Sequence, residues 1–213
     1  FFAISPGNMD SMVNRYTANR RMRHDDAYSP DSRHDMRPDY PSIVYTKILK
    51  QLFPDVPVVL GGIEASLRRF THYWQDKLLK PILCLSGADF LLYGMGEKNT
   101  VALCHALAEG RRIGEIDDIP QTSFLRREED IPGGIGEDDI VLHSYEECLR
   151  DKKAHAENFR HIEEECNRMH GQRLLQRVGN VFVVQNPMYP PMTSEELDAA
   201  FDLPYTRLPH PKY

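Results

Sequence analysis

Three short apolar runs dominate the hydrophobic pattern of the chain. Residues 58–61 end at the first of two consecutive glycines, residues 90–93 lead into a Gly-x-Gly turn, and residues 1–5 have the same apolar character. Uninterrupted apolar runs of this length are typical of strands buried on both faces of a parallel sheet. We therefore predict three neighbouring parallel strands, joined by helical crossovers and covered by helices on both faces.

The spacing of apolar and polar residues elsewhere predicts mainly helices and loops. Helices are predicted over residues 8–23, 42–53, 66–79, 100–108 and 144–170. Asn8 is the predicted N-cap of the first helix, and Ser144 begins a capping box for the last. Long polar segments predict a loop at 24–40 and a surface excursion at 117–139.

The end of the chain carries a hairpin signal and a short helix. Gly179 and Asn180 lie between apolar runs at 174–178 and 181–184, which is typical of a two-residue β-hairpin turn. Thr193 begins a second capping box. We predict an α/β fold, a Rossmann-like three-layer sandwich with a mainly parallel sheet, over residues 1–143. A long helix, a hairpin and a linker are predicted over 144–213.

Composition excludes several classes of protein. The net charge is −6, from 26 basic and 32 acidic residues, which gives no electrostatic reason to expect nucleic acid. No apolar run approaches the roughly 18 residues that span a membrane. The cysteines, at 84, 104, 148 and 166, have no C-x-x-C or C-x-x-x-C spacing, so no metal site is expected in this chain. Reduced thiols in a cytoplasmic protein are expected instead.

Polar residues and glycines follow each of the three predicted strands. They are Asn8, Asp10 and Ser11 after the first, Gly61, Gly62, Glu64, Arg68 and Arg69 after the second, and Gly94, Gly96 and Glu97 after the third. Parallel strands place their carboxyl ends at one edge, where ligands bind in open α/β sheets. We predict that Asn8, Asp10, Glu64 and Glu97 surround a common cleft there.

These residue types suit an anionic or hydroxylated ligand, although each has a structural alternative. Free amides at a helix start can bind an anion, Glu64 can accept from a hydroxyl or an amine, and arginines can hold phosphate or carboxylate bidentately. The alternatives are N-capping by Asn8, a Glu64–Arg68 pair at i,i+4, and a solvated arginine face. Catalytic residues are not predicted: the chain has no G-x-S-x-G, no Walker loop, and no third glycine for a nicotinamide fingerprint.

Several runs together resemble the N-terminal domain of the YgiQ-like radical SAM protein family. The longest is residues 61–69, Gly-Gly-Ile-Glu-Ala-Ser-Leu-Arg-Arg. Shorter ones, in the order of the family, are residues 8–12, 16–18, 25–28, 37–39 and His210-Pro211-x-Tyr213. The stretch after His72 is shorter than the family pattern. The resemblance covers most of the chain and is weakest at 117–172.

The resemblance implies the role of the chain within a larger protein. In the family this region precedes a radical SAM barrel, whose C-x-x-x-C-x-x-C loop binds a [4Fe–4S] cluster and S-adenosylmethionine. We expect the chain to be a fragment that begins inside the domain, ends before that loop and contacts the barrel of the full-length protein. It then has no cofactor of its own and acts as an accessory, substrate-contacting domain of an iron–sulfur enzyme of unknown reaction.

Two other functions stay open at this point. The resemblance implies a fold close to cobalamin-binding Rossmann domains, so the sheet edge could hold a corrinoid or a nucleotide. Cobalamin is unsupported, because the axial-histidine signature D-x-H-x-x-G is absent. The second alternative is an RNA-contacting module that uses Arg15, Arg20, Arg21 and Arg23. A visible spectrum after corrinoid addition tests the first, and a salt-dependent gel shift tests the second.

Overall fold

The computed structural model describes residues 1–7, 9–74 and 76–208, without the side chains of Tyr73 and Trp74. The predictions at Asn8 and at His210-Pro211-x-Tyr213 lie outside the described residues. The strands are β1 (Phe2–Ile4), β2 (Val58–Leu60), β3 (His72–Trp74), β4 (Lys77–Leu79), β5 (Phe90–Leu92), β6 (Thr122–Arg126), β7 (Ile140–Leu142), β8 (Leu174–Val178) and β9 (Val181–Gln185).

Helices connect and cover these strands. They are α1 (Ser11–Arg15), α2 (Pro41–Leu52), α3 (Gly62–Leu67), α4 (Ile82–Ser86), α5 (Glu97–Ala108), α6 (Tyr145–Arg150), α7 (Lys152–Cys166) and α8 (Ser194–Phe201). Short 3-10 turns occur at Pro30–Ser32, Ile113–Glu115 and Glu128–Asp130. None of the helices within the described ranges is long and apolar enough to cross a membrane.

The first part of the sheet is parallel, as the apolar runs predict. Ala3 of β1 lies opposite Val59 of β2, and Val59 lies opposite Phe90 of β5, with all three strands pointing the same way. Val58, Val59 and Leu60 are buried, so β2 is covered on both faces. The predicted α/β class and the three parallel neighbours are confirmed.

The second part makes the sheet mixed. In the described part of the chain the order is β1-β2-β5-β6-β9-β8-β7, and a separate pair is formed by β3 and β4. β6 is antiparallel to β5 and to β9, β8 and β9 form the predicted hairpin, and β7 is parallel to β8. The hairpin thus belongs to the same sheet as β1, and the sheet crosses the predicted boundary at 143/144.

Two layers of helix enclose the sheet. Ile82 and Leu83 of α4 pack with Val58 and Leu60, together with partly buried residues of α2. Leu103 and Ala106 of α5 pack on the opposite face with Val59 and Phe124. Because successive side chains of a strand point to opposite faces, these two clusters lie on opposite sides of β2. A third cluster joins Leu174 and Val183 to Tyr145 and Ile162 of the α6–α7 region. The predicted three layers are confirmed.

Several predicted elements are wrong. The first helix spans only Ser11–Arg15 and is capped by Asp10. Residues 66–79 contain the β3–β4 hairpin instead of a helix. The excursion at 117–139 contains the buried strand β6. The long helix from residue 144 is broken at Asp151, whose side chain accepts from the Lys153 amide and begins α7.

Candidate functional site

The turns that follow the first strands lie along one edge of the sheet. The Gly61 amide donates to the Ile4 carbonyl at 2.9 Å, which joins the end of β1 to the start of the next turn. A methyl group on Gly62 would lie 2.6 Å from the Ser5 hydroxyl oxygen. The turn after β5 meets the start of β6, since a methyl group on Gly94 would lie 2.8 Å from Nε2 of Gln121. This carboxyl edge is where the sequence predicts a ligand.

Asp10 and Arg68 form a buried, two-point ion pair at this edge. Arg68 Nη2 lies 2.8 Å from Asp10 Oδ2, and Arg68 Nε lies 3.1 Å from the same oxygen. Only 5% of Asp10 and 4% of Arg68 are exposed. Asp10 also accepts from the Met12 amide at 2.9 Å, so one carboxylate both caps α1 and neutralises Arg68. The guanidinium lies over the Tyr40 ring, 5.1 Å from its centroid.

Glu64 bridges the starts of two helices. Its Oε2 accepts from the Ser11 amide at 3.2 Å, and its Oε1 accepts from the Ser42 amide at 3.3 Å. The residue has no exposed surface. A carboxylate is favourable at a helix start, because the first amides have no partner within the helix. The amides predicted to bind an external anion are therefore occupied by Glu64 and Asp10.

Arg69 points away from this buried cluster. It donates to Gln185 Oε1 at 2.5 Å and to Cys166 Sγ at 2.9 Å. Its guanidinium lies 5.1 Å from the centroid of the Tyr93 ring. Arg69 therefore connects the segment after α3 to the antiparallel half of the sheet, whereas Arg68 contacts the start of α1 through Asp10.

The turn after β5 contributes mainly backbone atoms to the carboxyl edge. Gly96 is the N-cap of α5, and Glu97 is exposed in its first turn. Gln121 holds the turn in place, because its Nε2 donates to the carbonyls of Tyr93 and Met95, both at 3.1 Å. Asp10 and Glu64 lie together near Ser11. The predicted sharing of one cleft with Glu97 stays a prediction, and Asn8 lies outside the described residues.

Gly62 and Gly61 provide a matched pair of substitutions at this edge. Gly62 has φ of 81° and contacts Ser5, whereas Gly61 has φ of −148° and an added methyl group would lie 4.0 Å from the nearest atom. Gly62→Ala is expected to lower the free energy of unfolding by about 1–3 kcal/mol, the cost of a strained backbone conformation. Gly61→Ala is expected to change it by less than about 0.5 kcal/mol. Urea denaturation of both variants tests this, and equal losses would contradict the turn geometry.

An ionic cluster around Asp26 orders the loop at 24–40. Arg37 Nε donates to Asp26 Oδ2 at 2.9 Å, and Asn14, Ser29 and the Tyr28 amide also donate to this carboxylate. Arg37 Nη1 donates to the Pro6 carbonyl at 3.1 Å, which ties the loop to the turn after β1. Burial raises the pKa of Asp26, but these hydrogen bonds, that of Arg37 first, outweigh it and hold the pKa well below its usual range.

This lowered pKa gives a pH-dependent prediction. A carboxyl group with a depressed folded-state pKa stabilises the protein above its unfolded pKa, about 3.9, and loses that contribution as pH falls toward the folded value. Asp26→Asn is expected to lower the free energy of unfolding at neutral pH by about 1.5–3 kcal/mol, the range for hydrogen bonds to charged groups. Below about pH 4 the difference from the unsubstituted protein should shrink.

Asp25→Asn is the control for this experiment, because Asp25 is the exposed neighbour of Asp26. Urea denaturation of both variants at neutral and acidic pH checks the prediction. A difference for Asp26→Asn that does not vary with pH would show that its charge is not what stabilises the loop.

A pocket of about 280 Å³ opens at the same edge, beyond β5, β6 and β9. β6 is antiparallel to both of its neighbours, so its start lies beside the ends of β5 and β9. Four methionines line the pocket, Met95, Met169, Met188 and Met192. Cys166 and Tyr189 add to the wall, and Lys98 and Arg168 supply positive charge.

Of these pocket-lining side chains the sequence predicted none. Cys166 ends α7, and Tyr189 follows β9, so they are far in sequence from the glycine turns. Gln121, which donates to the Gly94–Met95 turn and accepts from the Tyr189 amide at 3.1 Å, precedes a strand that the sequence did not reveal. The Pro190-Pro191 pair after a strand is the one local signal that could have marked an ordered segment here.

Two of the four arginines considered for RNA binding have internal partners. Arg15 Nε lies 3.0 Å from Asp39 Oδ1, and Arg15 also pairs with Asp35. Arg23 Nε donates to the carbonyls of Val13 and Tyr16, both at 3.2 Å. The charge of Arg15 is therefore neutralised by carboxylates of the protein, and the Arg23 side chain is bound to nearby backbone carbonyls.

Comparison with known proteins places the chain in a family. The family model described as Radical SAM N-terminal matches residues 1–213. The chain therefore belongs to the radical SAM N-terminal family, which confirms the resemblance found in the sequence.

The relatives carry a common name and are longer. A UPF0313 protein of Bacteroides thetaiotaomicron is 60% identical over all of this chain and 36% of its own length. UPF0313 proteins of Porphyromonas gingivalis and Methanocella arvoryzae are 57% and 44% identical, over 34% and 35% of their lengths. The chain thus spans about a third of the length of these relatives. No solved structure matches it.

The family implies a [4Fe–4S] cluster and S-adenosylmethionine in the whole protein, but the thiols of this chain do not fit a cluster. Cys84 lies on α4 and Cys148 on α6, whereas Cys104 lies on α5, on the opposite face of the sheet. Cluster ligands must converge on one small site. Over the described ranges no group of three or more His, Cys, Asp or Glu could hold a metal ion.

Proposed function

We propose that the chain is the N-terminal, substrate-contacting domain of a longer radical SAM protein and supplies no ligand to its iron–sulfur cluster. The barrel that carries the cluster and S-adenosylmethionine is its proposed partner within the same polypeptide. The reaction itself belongs to that barrel. The four free thiols support a reducing, cytoplasmic location as part of this proposal.

One observation carries the proposal. Three charged residues at the carboxyl edge, Asp10, Glu64 and Arg68, are buried and have partners within the protein. A general acid, base or nucleophile must reach a reacting atom. Asp10, Arg68 and Glu64 hold the edge in shape instead, while the neighbouring pocket is open. An edge with buried charges and an open pocket favours the binding of a substrate over catalysis by these side chains.

The experiment compares cleavage of S-adenosylmethionine by three purified proteins under anaerobic, reducing conditions. They are the 213-residue chain, the longer protein, and the longer protein without residues 1–213. The chain alone is expected to form no 5′-deoxyadenosine. The longer protein and its shortened form are both expected to form it slowly without substrate, because the cluster and the cofactor lie in the barrel.

The iron content of the shortened form serves as the control for folding. A shortened protein that keeps its full iron content and loses cleavage would contradict the proposal, because residues 1–213 would then complete the cofactor site.

A further inference from the structure

We propose that the methionine-lined pocket binds a single aromatic or heteroaromatic ring system that carries an acidic group. This inference rests on the proposed substrate-contacting role and deepens it, because it names the chemical class that the edge would bind. It concerns residues that lie outside the buried Asp10–Arg68 pair and the Asp26 cluster.

The volume of the pocket limits the size of the ligand. Pockets for drug-sized ligands measure roughly 300–1,000 Å³, and this one measures about 280 Å³. One ring system with a short substituent fits such a space. A corrinoid or a dinucleotide is several times larger and would have to lie mostly outside it.

The walls suit an aromatic ring. Thioether sulfurs make favourable contacts with aromatic rings at about 5 Å, and methionine adapts to flat surfaces of different shape. Four methionines line the space together with Tyr189, Pro190 and Pro191. Burial raises the pKa of the Cys166 thiol, and Arg69 opposes this without overcoming it, so the thiol is neutral near pH 7. Cys166 therefore extends the apolar wall instead of repelling an anion.

The positive charges of the pocket suit an acidic group on that ring. Arg168 Nη1 pairs with Glu165 at 2.8 Å and donates to Gln172 at 3.3 Å. A guanidinium has five N–H donors, so it can hold an external carboxylate or phosphate while it keeps both contacts. Lys98 pairs with Glu196 at 2.6 Å and lies 5.6 Å from the centroid of the Tyr189 ring. The acidic group of a ligand would therefore contact Arg168 and Lys98, whose side chains are already held in position.

The eight methionines of the chain provide an internal control for the test. Four line the pocket, and four lie elsewhere, Met9, Met12, Met22 and Met36. Of the second group Met9, Met22 and Met36 are about as exposed as Met95, at 43%, 40%, 58% and 55% respectively. Selective ¹³C labelling of methionine methyl groups in the 213-residue chain therefore compares pocket and surface directly by NMR.

The chain is titrated with indole-3-acetate and with indole-3-acetamide, which has the same ring and no charge. We expect shifts of Met95, Met169, Met188 and Met192 only, and binding of the acetamide about tenfold weaker, the loss of one charge-assisted hydrogen bond. Arg168→Gln should clearly reduce the preference for the acid, and Lys98, which also lines the pocket, should account for what remains. Arg160→Gln, on the exposed face of α7 and outside the pocket, should keep it.

Three results would overturn the inference: no shifts at millimolar ligand, equal shifts in both groups of methionines, or equal affinity for acid and amide. The outcome is independent of the cleavage assay, because no S-adenosylmethionine or cluster takes part. If the ligand does not bind and the cleavage results are as expected, only the inference about the pocket is rejected. If the ligand binds and the shortened protein loses cleavage with its iron intact, only the accessory role is rejected.

Discussion

Replacement of Arg68 by methionine is expected to lower the free energy of unfolding by about 3–5 kcal/mol, the usual cost of breaking a buried ion pair. Arg68 and Asp10 are almost completely buried and are joined by three hydrogen bonds of 2.8, 2.9 and 3.1 Å. Methionine keeps much of the arginine stem but removes the charge, which leaves the Asp10 carboxylate without its cation in a site of low dielectric. Urea denaturation at neutral pH measures the loss.

Two variants separate the charge effect from a general loss of packing. Arg69→Met removes the neighbouring arginine, whose partners Gln185 and Cys166 are uncharged near neutral pH, and should cost about 1 kcal/mol. The double variant Asp10→Asn with Arg68→Met removes both charges and should recover part of the loss, since asparagine can still cap α1. Losses of equal size for Arg68→Met and Arg69→Met would contradict a special role for the buried pair.

Phe124→Ala is expected to cost about 3–5 kcal/mol, as large-to-small substitutions of buried aromatic residues do. Phe124 is fully buried in β6 and stacks on Phe90 of β5, with ring centroids 5.8 Å apart. The substitution therefore leaves a cavity between the parallel and antiparallel halves of the sheet. Phe201→Ala is the control, because 63% of Phe201 is exposed at the end of α8.

The control should change the free energy of unfolding by less than about 0.5 kcal/mol. A similar small effect of Phe124→Ala would show that β6 is not a central strand and that residues 117–139 form the surface excursion predicted from the sequence.

The parallel part of the fold was predictable because its strands are apolar at every position. β2 is Val-Val-Leu and β5 is Phe-Leu-Leu, so both carry the signal of burial on two faces. β6 begins Thr-Ser, and both residues are fully buried, which conceals the strand. Their hydroxyl groups donate to the Ile119 and Val184 carbonyls, so burial costs little. Local polarity does not reveal that the partner of Ser123 lies 61 residues further along the chain.

The position of three candidate residues was predictable from the sequence, and their pairings were not. The sequence predicts Asp10, Glu64 and Arg68 at the carboxyl edge, and all three lie there in the structure. The sequence allows an ion pair between Glu64 and Arg68 at i,i+4. In the structure Arg68 pairs instead with Asp10, which is 58 residues away. Spacing along a helix predicts only local pairs. The pocket depends on packing between α7 and the segment after β9, for which the sequence has no local signal.

Anaerobic reconstitution of the 213-residue chain with iron and sulfide is the most direct test of the accessory role. We predict a colourless protein without stoichiometric iron and without a reducible cluster signal in electron paramagnetic resonance, because its thiols lie on separate helices and on two faces of the sheet. A brown protein with stoichiometric iron and a reducible signal, lost when Cys84, Cys104, Cys148 or Cys166 is replaced, would contradict the account.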